Sequence, residues 1–258
     1  EEYMLYGGMP RLTQLKDDNA KKKYLLSLYE EVYIKDIKER NRIEREDILE
    51  EILDYLSSQI SSLTNPTKVA NAISNEKKEK IDNILVSHYI NHSVNAFLIL
   101  IAKRYDIKGK SYFKYPNKYY FTDVGLRNAR LNFRQFDPGH LMENIIYLEL
   151  IRRGYSVDVG VVYDRTNRTT AVKEVDFVVN DGDKRIYASF TLKLYLSPYF
   201  ITHRLKNKTR RCFNLSNTVL DMNIFSLVVN SVFVTVGEPW SSEIRGILGT
   251  AIFKNKDV

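Results

Sequence analysis

Residues 173–194 read KEVDFVVNDGDKRIYASFTLKL. Lys173–Val179 predicts a strand, and Asn180-Asp181-Gly182-Asp183 predicts a tight turn whose positive φ glycine and asparagine accept. Arg185–Leu194 then returns as a second strand. Two such strands hold Mg²⁺ when they carry two or three carboxylates, because the ion prefers hard oxygen ligands. The first strand offers Asp176, with Glu174 on the same face as a second carboxylate or as a plain surface group. The second carries Ser189 and Thr191, both uncharged, where an acid and a lysine would complete the set. Lys193 shares a face with Thr191 but lies one pleat further on, roughly 6.6 Å away at ~3.3 Å per residue. The hairpin therefore frames a metal site without supplying all of it.

Helices and strands alternate around this hairpin. GHLMENIIYLELIRRG, residues 139–154, predicts a helix stopped by Gly154. Val157–Val162 predicts another strand, residues 199–213 a basic helix, and LVVNSVFVTV and IRGILGTAIF further β-rich stretches. The expectation over 122–258 is a mixed α/β domain.

Toward the N-terminus the texture is helical. Residues 19–40 place Tyr24, Leu25, Leu28, Val32 and Ile37 near helical spacing, and residues 46–60 repeat the pattern through Ile48, Ile52, Leu53 and Leu56. Asn65-Pro66 is a helix start, an N-cap followed by proline at the first position. Ser74-Asn75 reads as a turn, residues 76–95 as a third helix, and FLILIAKRYDIKGKSYFKYPNKYYF, residues 97–121, as a β-hairpin. Three short helices and a basic hairpin over 46–121 predict a winged helix, preceded by a helical region over 1–45. In that fold the third helix enters the major groove, which assigns His88 and Asn91 to its outer face. Lys103, Arg104, Lys108, Lys110, Lys114 and Lys118 on the hairpin then neutralise phosphates. The competing reading is a winged helix that only packs against protein. His88 and His92 stand at metal-ligand spacing, but no third histidine or cysteine accompanies them.

Bulk properties agree with a globular, nucleic-acid-binding chain. Of 258 residues 44% are hydrophobic, too many for disorder, and the longest apolar run, AFLILIA at 96–102, is far short of a membrane span. Residues 61–118 hold ten basic and four acidic side chains, whereas residues 1–60 hold ten and fourteen. A basic middle segment of that kind fits an anionic partner and equally a solvated lysine-rich surface. The lone Cys212 and the missing secretory leader suit a cytoplasmic protein with no membrane partner. The chain opens without Met, as a fragment would, and contains no P-loop, so it does not itself bind ATP.

Several stretches look familiar together. YGGMP at 6–10, YEEVYIKDI at 29–37, YYFTDVGLRN at 119–128, LMENIIYLEL at 141–150 and KEVDFVV at 173–179 resemble the C-terminal DUF4143 region of prokaryotic AAA-type ATPases. The resemblance implies an ATPase domain ahead of this chain, which would be its ATP-binding part and its partner, and it leaves an oligomer open. It also implies a winged helix followed by a restriction-endonuclease-like domain of the PD-(D/E)XK type. In that pattern Glu143 and Asp176 are the metal-binding acids for Mg²⁺, and Ser189 and Thr191 occupy the places of the second-strand acid and the lysine. Asp123 in FTDVGL either caps the helix that follows or faces the same cleft as Glu143. The expected function is a nucleic-acid-binding and regulatory module whose nuclease frame has lost its chemistry. A Mg²⁺-dependent DNA or RNA nuclease and a protein-interaction platform are the alternatives.

Overall fold

A computed structural model describes residues 2–166, 169–182, 184–190 and 232–236. Thr191, Lys193, Cys212, the expected helix over 199–213 and the RGILGTAIF stretch lie outside the described residues. The protein is a mixed α/β chain of two compact units: residues through Arg104 with Tyr112–Gly154, and Tyr105–Ser111 with the described residues from Tyr155 on. None of the described helices is long and apolar enough to cross a membrane.

The first unit opens with α1 (Glu2–Tyr6), a 3₁₀ turn at Pro10–Gln14 and α2 (Asp18–Ser27), which starts where Asp17 accepts a 2.8 Å hydrogen bond from the Ala20 N–H. A π-helical turn, Leu28–Ile34, carries α2 directly into α3 (Lys35–Asn41). The widened turn changes which residues face inward. Leu25, Tyr29, Ile34 and Ile37 are buried, whereas Val32, expected on the apolar stripe, is 52% exposed. A five-residue step from Tyr29 to Ile34 does not fit a 3.6-residue period, so periodicity alone misassigned Val32.

Helix α4 (Glu46–Ser58) buries Ile48, Leu49, Ile52, Leu53 and Leu56 as its amphipathic pattern requires. Asn65 caps α5 (Pro66–Lys77) by accepting from the Lys68 N–H at 2.8 Å, with Pro66 at the first position. The expected break at Ser74-Asn75 does not occur. Instead Ser74 Oγ accepts from the Ile81 N–H at 2.9 Å, and the helix ends at Lys78, φ +55°. Asp82 then starts α6 (Asn83–Asn95). The hairpin follows as β1 (Ile99–Asp106) and β2 (Ser111–Phe121), with the connection before α5 bridged to β2 through Thr64 and Asn117, which exchange two 2.9 Å backbone bonds. Helices α7 (Val124–Arg130) and α8 (Pro138–Arg152) complete the unit. Asp123 caps α7, accepting from Gly125 N at 2.8 Å and Leu126 N at 3.2 Å.

The second unit is built on β3 (Ser156–Thr166), β4 (Thr169–Asp181), β5 (Lys184–Phe190) and β6 (Val232–Val236), each antiparallel to the next. Gly182, at φ +61°, makes the β4–β5 turn that the sequence predicts. Opposite Val159, β4 carries an extra residue: Asp158 pairs with Val178 but Gly160 with Val175. Asp176 and Phe177 therefore form a β-bulge, and Val175 and Val178 share one small core with Tyr105, Ile107, Val162 and Tyr187.

Candidate nucleic-acid interface

Helix α6 has two faces. Val86, Tyr89, Ile90 and Ser93 are buried, and the Ser93 hydroxyl donates to the Tyr89 carbonyl at 3.0 Å. Ile84, His88, Asn91 and Asn95 recur three or four residues apart on the exposed side. That side bears no Asp, Glu, Lys or Arg. Alternation along β1 buries Ala102 and leaves Lys103 exposed, on the same face as the half-buried Ile101.

Between this helix and the hairpin lies a cleft of about 470 Å³, lined among others by Asn91, Lys103, Tyr112, Lys114 and Asn117. Among the described residues no carboxylate lines it. Asn91, Lys103 and Lys114, each expected to contact nucleic acid, thus come together at one concave site. Tyr112, 55% exposed, and the 95%-buried Asn117 join them without having been singled out in the sequence. The available signal for both was the aromatic and amide content of SYFKYPNKYYF, residues 111–121.

The remaining expected contacts are placed differently. The Arg104 guanidinium sits 5.1 Å from the Phe113 ring centroid, a cation–π distance. Lys118 is 2% exposed, and its ammonium donates to Glu143 Oε1 at 2.7 Å. Its charge is therefore committed inside the protein and is not presented to a phosphate. Lys108 and Lys110 are exposed on the hairpin tip, which belongs to the second unit, and Lys108 N–H donates to Asp106 Oδ1 at 3.0 Å. His88 is exposed on α6, while burial first, and then the charge of His88, hold the His92 imidazole below its usual range.

The expected metal acids separate by unit. Glu143, 8% exposed on α8, accepts from both Lys118 Nζ and the Tyr120 hydroxyl, the latter at 2.8 Å. Its neighbour Asn144 pairs with both backbone groups of Phe121, accepting at 2.8 Å and donating at 2.9 Å. Asp176 is half-buried in the β4 bulge, Glu174 is exposed on the same strand, and Ser189 is buried on β5, where it pairs with Phe233. Among the described residues no group of three or more His, Cys, Asp or Glu side chains suited to a metal ion forms. The described residues thus supply no complete ligand set for Mg²⁺. Asp123, the other carboxylate with two readings, is a helix cap.

Comparison with known proteins corrects the expected relationship. A family described as a domain of unknown function (DUF8612) matches residues 1–137, just over half of the chain, and the chain belongs to that family. The match is not to DUF4143, and nothing in the comparisons indicates the C-terminal region of an AAA-type ATPase. An uncharacterized protein of Haemophilus influenzae is 33% identical over 75% of this chain and 46% of its own length. The uncharacterized protein MJ1544 of Methanocaldococcus jannaschii is 27% identical over 72% of this chain and 40% of its own length. The chain thus spans less than half the length of these relatives. No solved structure matches. Every residue lining the cleft falls within the stretch that the family covers.

Proposed function

We propose that this DUF8612 chain binds nucleic acid through the cleft between α6 and the β1–β2 hairpin. The observation that carries the reading is the cleft that gathers Asn91, Lys103 and Lys114 with no carboxylate among its described lining residues. Lysines on a concave surface neutralise phosphates and release their counterions, a driving force that needs no particular sequence. The order of elements supports a winged-helix module: α4, the Thr64 bridge, α5, α6, then a hairpin whose second strand pairs back to Thr64. In such a module α6 and the hairpin form the binding face. The second unit contributes a nuclease-like frame on this reading, with Asp176 in its bulge but with Ser189 where a further acid would stand, and we assign it no cleavage chemistry.

Fluorescence anisotropy with labelled oligonucleotides at ~50 and ~200 mM salt tests the proposal. For three or four neutralised phosphates the affinity falls by about 40- to 150-fold over that range. The double variant Lys103→Ala/Lys114→Ala lowers the salt slope by about two. Absence of binding at either salt concentration overturns the reading.

A further inference from the structure

The outer stripe of α6 is unlike that of an ordinary solvated helix. Ile84, His88, Asn91 and Asn95 are all exposed, and at 3.6 residues per turn they fall within a sector of about 60°. A solvent-facing stripe normally carries charged side chains. This one carries two amides, an imidazole and an aliphatic chain, and Ile84 is 60% exposed. The carboxylate of Asp82, just ahead of the helix, is used as its cap, with Oδ1 accepting from the Ile84 N–H at 3.0 Å.

The end of the same helix holds a second anomaly. Ala96 is the C-cap, and the N–H groups of Phe97 and Leu98 close on the Val94 and Ser93 carbonyls at 3.0 and 3.1 Å. In that bond pattern the residue after the cap takes a left-handed backbone, and glycine is its usual occupant. Here it is Phe97, at φ +55° and 73% exposed. Strained backbone and an exposed ring both count against the folded chain, a combination that persists where function needs it.

Uncharged amides do little for a phosphate but suit the edges of bases. In the major groove, which is wide enough for an α-helix, asparagine pairs bidentately with adenine N6 and N7, and apolar side chains pack on the thymine methyl. Asn91 and Asn95 stand about 6 Å apart along the axis at ~1.5 Å per residue, close to two base-pair steps of ~3.4 Å. Lys103, exposed on the hairpin, lines the same cleft as Asn91, which puts a cation beside the stripe for the DNA backbone.

We infer that α6 reads A·T pairs in the major groove of duplex DNA: Asn91 and Asn95 pair with adenine edges, Ile84 and Phe97 pack on thymine methyls toward the two ends of the helix, and Lys103 holds a phosphate. This rests on the nucleic-acid reading above and narrows it to duplex DNA of a particular base composition.

The test uses the full 258-residue chain. A pool of duplex DNA randomised over about two helical turns is selected for binding, and the enriched duplex is labelled for anisotropy. The expected site contains A·T pairs. Exchanging them for G·C weakens binding about tenfold or more, and so does 7-deazaadenine, which lacks the N7 acceptor of the major groove. Asn91→Ala and Asn95→Ala, both at exposed positions, reduce that preference and leave the salt slope unchanged. Lys103→Ala weakens all duplexes alike and lowers the slope by about one. Phe97→Gly separates function from folding: the thermal midpoint rises as the backbone relaxes, while affinity for the enriched duplex falls. A lower midpoint would make the ring structural and overturn its part in the contact. A pool that enriches no sequence, or a preference that survives both asparagine variants, overturns base reading by α6 while leaving the nucleic-acid reading standing. No binding of any duplex or single strand overturns both and assigns the stripe to a protein partner.

Discussion

Asp123 Oδ2 accepts a 2.7 Å hydrogen bond from the backbone N–H of Gly8, 115 residues earlier in the chain. Its other oxygen caps α7 through Gly125 and Leu126. One carboxylate thus starts a helix and ties the N-terminal segment to it. Burial pushes this carboxyl above its usual range, against the lowering pull of the Gly8, Leu126 and Gly125 N–H groups. Asp123→Ala is expected to cost about 1–3 kcal/mol, a lost cap plus a lost long-range bond, offset by relief from burying charge. Urea unfolding measures it. An unchanged midpoint would show that the Gly8 contact contributes nothing.

Gly125 sits in the first turn of α7 because α1 passes directly over it. A Cβ built there would lie 1.9 Å from the Tyr6 carbonyl oxygen, a backbone atom that cannot swing aside. Helix propensity alone favours Gly125→Ala by about 1 kcal/mol. The packing predicts the opposite, a loss of about 3 kcal/mol or more, with faster amide exchange in Glu2–Gly8 as α1 lifts away. Stabilisation by alanine would refute this close approach.

Arg45 gives the fold an acid-sensitive brace. Its guanidinium bonds Asp47 at 2.9 Å and Glu79 at 2.9 Å, joining the start of α4 to the loop before α6. Hydrogen bonding to Arg45 holds both carboxyls below their usual values, Asp47 strongly. Folded values below unfolded ones mean a contribution that is present above the unfolded values, 3.8 and 4.5, and is lost as pH falls through the depressed folded ones. The stability difference between wild type and Arg45→Met should therefore be present at neutral pH, shrink below about pH 4, and diminish with added salt. Chemical denaturation of both proteins at pH 7 and pH 3 measures it, and a difference independent of pH would dismiss the brace.

Features settled by neighbouring residues were legible in the sequence. Asn65-Pro66 starts α5, Gly154 follows α8 at φ +87°, and Gly182 turns β4 into β5. Features that depend on distant partners were not. The π turn at Leu28–Ile34 rotates Val32 outward, and Ser74 stays helical because its hydroxyl finds Ile81. The stretches that resembled another family are largely buried joints of the fold. YGGMP and FTDVGL meet at Asp123, and the Glu143-Asn144 pair holds the end of β2. Such joints constrain sequence as strongly as a catalytic site does, so their resemblance carried no reliable information about function. The cleft itself was half legible: charge marked Lys103 and Lys114, but the burial of Asn117 depends on the Thr64 bridge.

Glu143 is the residue on which a structural and a metal-binding role make opposite predictions. It forms a buried pair with Lys118, whose side chain is 3% exposed against 11% for Glu143. Removing one partner of a buried pair strands the other charge, so Glu143→Leu and Lys118→Met should each cost about 3–5 kcal/mol. Replacing both together, as Glu143→Leu/Lys118→Met, leaves no stranded charge and should cost less than the sum by about 2 kcal/mol or more. A double-mutant cycle in urea reads this coupling directly. Strict additivity would mean that the pair is incidental. A ligand role has a separate signature, because a bound cation stabilises only the folded state. If Mg²⁺ raised the thermal midpoint of the wild type but not of Glu143→Gln, the carboxylate would be a metal ligand after all. The closed contact with Lys118 and Tyr120 predicts no such difference.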